Sequence, residues 1–271
     1  MRSITAPNFI LGGALVAGVA CMAFTALIWT PYNPMVVNLR ARTQAPSFQY
    51  WLGTDEFGRD VFSRLLYGAS QSLSVALLTV LVAVIVGSLL GLMSGYVRGF
   101  TDRVLMVFSD AVLAFPGTLL ALGLMVIMGP NRFGIILALG VAYTPSVLRI
   151  VRGTVLSARE REYVEASRVV GNSEIYTMLR HVLPNCVAPI VVLATSMFGW
   201  VVLAESGLSF LGLGVPPPSP TWGNMLSAAR PHIESAPWLG IAPGLCISLT
   251  LLGINLLGDA LRDRLDPRME R

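Results

Sequence analysis

Lysine is absent from the sequence, and all 19 basic residues are arginine. A Walker-type phosphate loop needs its lysine on the nucleotide phosphates, and Schiff-base chemistry needs a lysine amine. The chain therefore has no Walker-type site with which to hydrolyse ATP by itself. Histidine is limited to His181 and His232, and cysteine to Cys21, Cys186 and Cys246. No His-Glu-x-x-His or Cys-x-x-Cys spacing occurs, so a zinc centre has almost no ligands to draw on. The cysteines lie far apart inside apolar runs and read as small packing residues rather than a disulfide framework. Charge is scarce too, at 13% of residues against 54% hydrophobic, where a soluble domain carries about a quarter charged residues. The net charge of +4 calls for no nucleic acid, because orientation in a membrane accounts for it.

What fills the chain instead is long charge-free runs: Ser3–Leu39, Leu65–Val97, Ala111–Asn131, Phe133–Leu148, Val182–Ala204 and Ser235–Gly258. A bilayer span takes ~20 mainly apolar residues. The expectation is an all-α polytopic membrane protein with six transmembrane helices. The first covers about Phe9 to Trp29, read as a retained span rather than a cleaved signal. The others lie near 70–96, 104–128, 133–151, 186–206 and 238–258. Arg40, Arg42, Arg59, Arg64, Arg132 and Arg230 then fall on one side and the remaining thirteen arginines on the other. The positive-inside rule places that second side, with both termini, in the cytoplasm.

Ala83, Gly87, Gly91, Gly95 and Gly99 recur every four residues along the second span. Small residues at that spacing let two helix backbones approach closely. Pro116, Pro145, Pro189 and Pro243 each fall within a predicted span, where each removes a backbone donor and can kink its helix. Asp110 and Glu205 are ionisable residues in or beside spans. Such residues usually face a bundle interior or water, so they are candidates for a translocation path or for structural hydrogen bonding. Thr54 followed by Asp55 and Glu56 suggests a helix start, with Phe57, Val61, Phe62 and Leu65 on a short helix at the outer interface. His232 reads as solvated.

The longest inside loop, about 152–185, carries the most information. Residues 159–170 lack Pro and Gly and predict a helix with Tyr163, Ala166 and Val170 on one stripe and Arg161, Glu165 and Arg168 on the polar side. Gly171 predicts a left-handed C-cap. Asn172 or Ser173 caps a second short helix over 174–181, ending before Leu183-Pro184. Two readings suit that shape: an interfacial helix lying on lipid headgroups, or a knob that docks into a groove on a soluble partner.

Glu165-Ala166-Ser167, then Gly171, then nine residues and His181-Val182-Leu183-Pro184 resemble the EAA loop of binding-protein-dependent ABC importer permeases. Ser167 stands where that pattern has a second Ala, and His181 where it has Ile. Trp51-Leu52-Gly53-Thr54-Asp55-Glu56-Phe57-Gly58-Arg59-Asp60, Glu205–Gly214 and Gly258-Asp259-Ala260-Leu261-Arg262-Asp263 are similar to further signatures of the dipeptide/oligopeptide/nickel permeases, in the same order. The resemblance is to the "C"-type permease. It implies a type I ABC importer permease fold in a bacterial inner membrane, with a coupling loop that uses Tyr163, Glu165, Ala166, Ser167, Gly171, Leu183 and Pro184. It also implies alternating access, with no catalytic residue, metal or cofactor in this chain. ATP and magnesium would sit on two cytoplasmic ATPase subunits, beside a homologous second permease and an extracytoplasmic substrate-binding protein. The expected division is 1–68 for the first helix and outer segment, 69–260 for the permease core, and 261–271 for a cytoplasmic tail. Peptides lead the expected substrates, followed by nickel, metal chelates, opines and glutathione. A membrane enzyme would need a catalytic constellation at membrane depth, such as paired aspartates or Ser with His, and Asp110 has no second Asp on a neighbouring predicted span; an ion-coupled transporter would not need the Gly-broken loop.

Overall fold

A computed structural model describes residues 7–265. Backbone polar groups in hydrocarbon must be satisfied within their own segment, which leaves helices as the economical answer for these apolar runs. The described residues form α1 (Pro7–Ile28), α2 (Val61–Val97), α3 (Gly99–Leu113), α4 (Gly117–Met128), α5 (Arg132–Ala158), α6 (Glu162–Val169), α7 (Glu174–Thr177), α8 (Leu183–Phe210), α9 (Trp222–Ala229) and α10 (Trp238–Leu265). Among them no strand occurs beyond an isolated bridge between Thr54 and Asp60. Five helices are long and apolar enough to cross a membrane, or six if the bent pair α3–α4 is one span.

The centre of the bundle is the α2/α5 seam. A Cβ built on Gly87 would lie 2.6 Å from Val147 Cβ, one on Gly91 2.7 Å from Val151 Cβ, and one on Gly95 2.8 Å from Val155 Cβ. A glycine ladder with a four-residue step thus receives a valine ladder with the same step, and all three valines are fully buried. Gly140 returns the arrangement by receiving Val82. Gly99 is a correction to the predicted stripe. Helix α2 stops at Val97, Arg98 takes φ 62°, and Gly99 (φ +64°) opens α3 with nothing packed against it.

The predicted third span, near 104–128, is sharply bent at Pro116. Helices α3 and α4 meet at 89° across Ala114–Pro116. Pro116 supplies no N–H and pushes Phe115 out of the helical region. Pro145, Pro189 and Pro243 by contrast lie inside unbroken α5, α8 and α10. Two expected boundaries shift as well. The division at 68/69 falls inside the single helix α2. Helix α10 runs on to Leu265, so only part of the 261–271 tail lies among the described residues.

A folded cap covers the far end of α2. No helix starts at Thr54. Its hydroxyl donates to the Ala41 carbonyl and accepts from Gln44 N, at 2.8 Å in the latter case. The helix begins instead behind Asp60, whose carboxylate accepts from Ser63 N at 2.8 Å as an N-cap. Asp55 gathers Arg59 at 2.7 Å and Arg64 at 3.4 Å, while Arg64 also donates to the Pro34 carbonyl. His232 is not simply solvated, since Nε2 lies 3.2 Å from Glu56 and joins the segment after α9 to the segment before α2. Trp222, fully buried, donates its indole N–H to Leu65 O at 3.2 Å and fastens α9 to α2.

Candidate functional site: the helical knob at 159–182

Helix α5 extends beyond its predicted end at 151 to Ala158, which carries the chain clear of the apolar run before it turns. Glu162 and Glu165 occupy the first turn of α6 and Arg168 its last, a charge order that complements the helix dipole. Gly171 sits at φ +88°. Its N–H donates to Arg168 O at 2.9 Å, and Asn172 N–H donates to Ser167 O at 3.2 Å. That pair of bonds is a Schellman turn, which places a left-handed residue just past the helix end.

The second helix departs from expectation. Ser173 caps α7 by accepting from Tyr176 N at 3.2 Å, but helical backbone does not stop before Leu183-Pro184. A π-helical turn over Met178–Val182 leads straight into α8. Its wider spacing, with Leu183 N–H donating to Met178 O, lets Pro184 enter in the first turn of α8, where a proline is tolerated.

The predicted stripe faces away from the bundle. Val164 is fully buried and packs with Ala158 and Val182 against the bundle core, and Ser167 turns inward beside it. Ser167 Oγ lies 3.0 Å from the buried Thr177 Oγ1 and accepts from Asn172 Nδ2 at 3.1 Å. The serine that departs from the Ala of the resembled pattern is thus a polar stitch between α6 and α7. Tyr163, Glu165 and Ala166 face outward with Val169 (82% exposed), Val170 (80%), Ile175 and Tyr176. Leu183 is half-buried and Pro184 exposed. His181 is half-buried, its ring edge-on to Tyr176 at 5.9 Å.

The knob is clamped to α2 by residues with no forewarning in the sequence. Arg159 donates to Tyr96 O at 2.9 Å, and the Tyr96 hydroxyl bonds Glu174. Arg168 lies over the Tyr96 ring at 5.7 Å and pairs with Glu174 at 3.3 Å. The Tyr96 hydroxyl, ahead of Glu174, raises the Arg168 pKa beyond its ordinary value. Nearby, Arg152 binds Asp102 at 2.5 Å, with Ser94 donating to the same carboxylate, and Arg98 approaches Glu160 at 3.5 Å. Tyr96 is too distant in sequence to signal itself.

The two path candidates do not meet. Asp110 is paired with Arg149 at 2.6 Å on an exposed surface. Glu205 is fully enclosed: Ser209 donates to it at 2.7 Å, Ser206 at 3.5 Å, and Ser72 and Thr221 also bond it. A carboxylate so enclosed joins α2, α8 and the start of α9 and does not face an open lumen within this chain.

Residues 87–271 match the family described as "Binding-protein-dependent transport system inner membrane component". The chain belongs to that family. The matched region begins within the glycine ladder and includes the knob. The dipeptide transport system permease protein DppC of Alkalihalophilus pseudofirmus is 41% identical over 261 residues, covering 96% of this chain and 86% of that one. The glutathione transport system permease protein GsiD of an Escherichia coli strain is 43% identical over 225 residues, covering 83% and 74%. A solved chain from the MetNI methionine ABC transporter in its inward-facing conformations aligns at a TM-score of 0.57 and 17% identity, over 75% of this chain and 96% of its own. This inner-membrane component thus shares the type I importer permease fold, and it is a multi-pass transport permease rather than a catalytic subunit.

Proposed function

We propose that this permease subunit imports peptides across a bacterial inner membrane, driven by ATP hydrolysis on two separate ATPase subunits. The observation that carries the reading is the knob. Its outer face presents Tyr163, Ala166, Val169, Val170, Ile175 and Tyr176, while its inner face is stitched to the bundle. An apolar helix face held rigid beside charged residues suits insertion into a groove on a soluble partner. Closure of the ATPases would press on α6. The Tyr96–Arg168–Glu174 clamp would pass that motion to α2, and the α2/α5 seam would carry it through the bundle in alternating access. Glu165, Ser167, Gly171, Leu183 and Pro184 shape or brace the knob.

The remaining partners are a homologous second permease and an extracytoplasmic substrate-binding protein. Both termini lie in the cytoplasm, and ATP and magnesium stay on the ATPases, with no cofactor in this chain. The names of the DppC and GsiD relatives support peptides, glutathione being itself a small peptide. The test is reconstitution into proteoliposomes with the second permease, the ATPases and the binding protein. Uptake of labelled dipeptide is expected to require ATP and the binding protein, and the purified chain alone is expected to hydrolyse no ATP. Uptake driven by an ion gradient without ATP, or hydrolysis by this chain alone, overturns the reading.

A further inference from the structure

A cleft of about 480 Å3 opens between α1, α2, α8 and α10, with Arg132 of α5 also in its lining. One wall is α1, from Leu27 back through Phe24, Ala23, Val19 and Val16; Phe198 of α8 and Ile254 of α10 line it too. From Leu27 to Val16 a helix advances roughly 16 Å, so the cleft is long and apolar. Thr250 adds no polarity, because its hydroxyl is spent on Cys246 O at 2.6 Å.

The polar groups that line the cleft gather at the end away from the knob. They are Ser70, Gln71 and Ser74 on α2 and Arg132 at the first residue of α5. Ser70 donates to Tyr67 O and Ser74 to Gln71 O, so both hydroxyl protons are engaged. Arg132 donates one N–H to Ser74 Oγ at 2.8 Å. It has no carboxylate partner among the described residues, whereas Arg149, Arg152 and Arg168 at the knob end each have one. The Gln71 amide is likewise open. A guanidinium at the edge of an apolar span is costly unless something anionic or polar meets it, and a guanidinium fork suits phosphate oxygens.

We propose that this cleft binds one anionic phospholipid, its phosphate on Arg132 and Gln71 and an acyl chain along α1. A peptide carboxylate shares the oxyanion chemistry, but the three-turn apolar wall has nothing to offer a peptide backbone, whose N–H and C=O groups need partners. An acyl chain needs none.

The test is made on the assembled transporter, delipidated in detergent and titrated with phosphatidylglycerol under native mass spectrometry. Wild type is expected to retain one phosphatidylglycerol that phosphatidylcholine does not replace. Arg132→Gln is expected to weaken that retention at least tenfold. Ala23→Trp, which fills the apolar arm and keeps the guanidinium, is expected to weaken it as well. Equal retention by wild type and both variants overturns the site. Displacement of the lipid by dialanine, lost in Arg132→Gln, overturns it in favour of a substrate carboxylate.

Discussion

Gly91→Leu is expected to remove most of the protein from the membrane. A Cβ at that position lies 2.7 Å from both Leu148 O and Val151 Cβ, so one offending atom is backbone and cannot rotate away. Overpacking a close-fitted interior costs about 1–3 kcal/mol, and a branched side chain against backbone belongs at the upper end. Helix α5 cannot retreat locally, because Val147 and Val155 are seated on Gly87 and Gly95 on either side. Losses of that size lower cellular abundance several-fold. Gly13→Leu on α1, where nothing lies within 4 Å, is the control and is expected to accumulate normally. Immunoblots of washed membranes give the comparison, and wild-type levels of Gly91→Leu would mean that the seam is not close-packed.

Gly171→Asp is expected to have the opposite profile: normal accumulation and uptake near background. The site is open, with no atom within 4 Å of the new Cβ, so steric overlap inside this chain is not the problem. The cost is the left-handed conformation at φ +88°, roughly 1–2 kcal/mol for most residues with a Cβ and about 1 kcal/mol for Asp, which enters that region more readily than most. That is small for a multi-helix bundle, yet it is applied where α6 is aimed. Relaxing the turn breaks the Gly171 and Asn172 bonds to Arg168 and Ser167 and frees α6 to swing about Val164. Co-purification of the ATPases, ATP hydrolysis and peptide uptake are expected to fall together in reconstituted complexes. Substrate affinity of the binding protein is expected to stay unchanged. Full uptake by Gly171→Asp would remove this turn from the coupling element.

These two glycines also mark what sequence reasoning reaches. A four-residue ladder and a glycine after a charged helix are local patterns, so close approach at Gly87, Gly91 and Gly95 and a positive φ at Gly171 were both legible. Gly99 was misplaced because the same period continued past the residue where the chain reverses, and nothing local marks Arg98 as that residue. The four prolines looked alike, yet only Pro116 breaks its helix. The difference is tertiary. On one side of it Asp102 and Asp110 of α3 are held by Arg152 and Arg149 of α5, and on the other side α4 carries no charged residue. At the knob, Tyr163, Ala166 and Val170 share a face as predicted, but which face meets the bundle depends on Val182 and Thr177, beyond the turn. Glu205 was visible as an ionisable residue in a span. Its hydroxyl cage was not, because Ser72 and Thr221 come from other parts of the chain.

Coupling requires the knob to meet a soluble subunit rather than lipid headgroups. A photo-crosslinking amino acid at Val169, 82% exposed on α6, separates the two, with one at Ile233 (66% exposed) on the opposite side as control. Illumination of the assembled transporter is expected to join position 169 to an ATPase subunit, with position 233 giving no such adduct. Lipid adducts alone from position 169 would contradict the account.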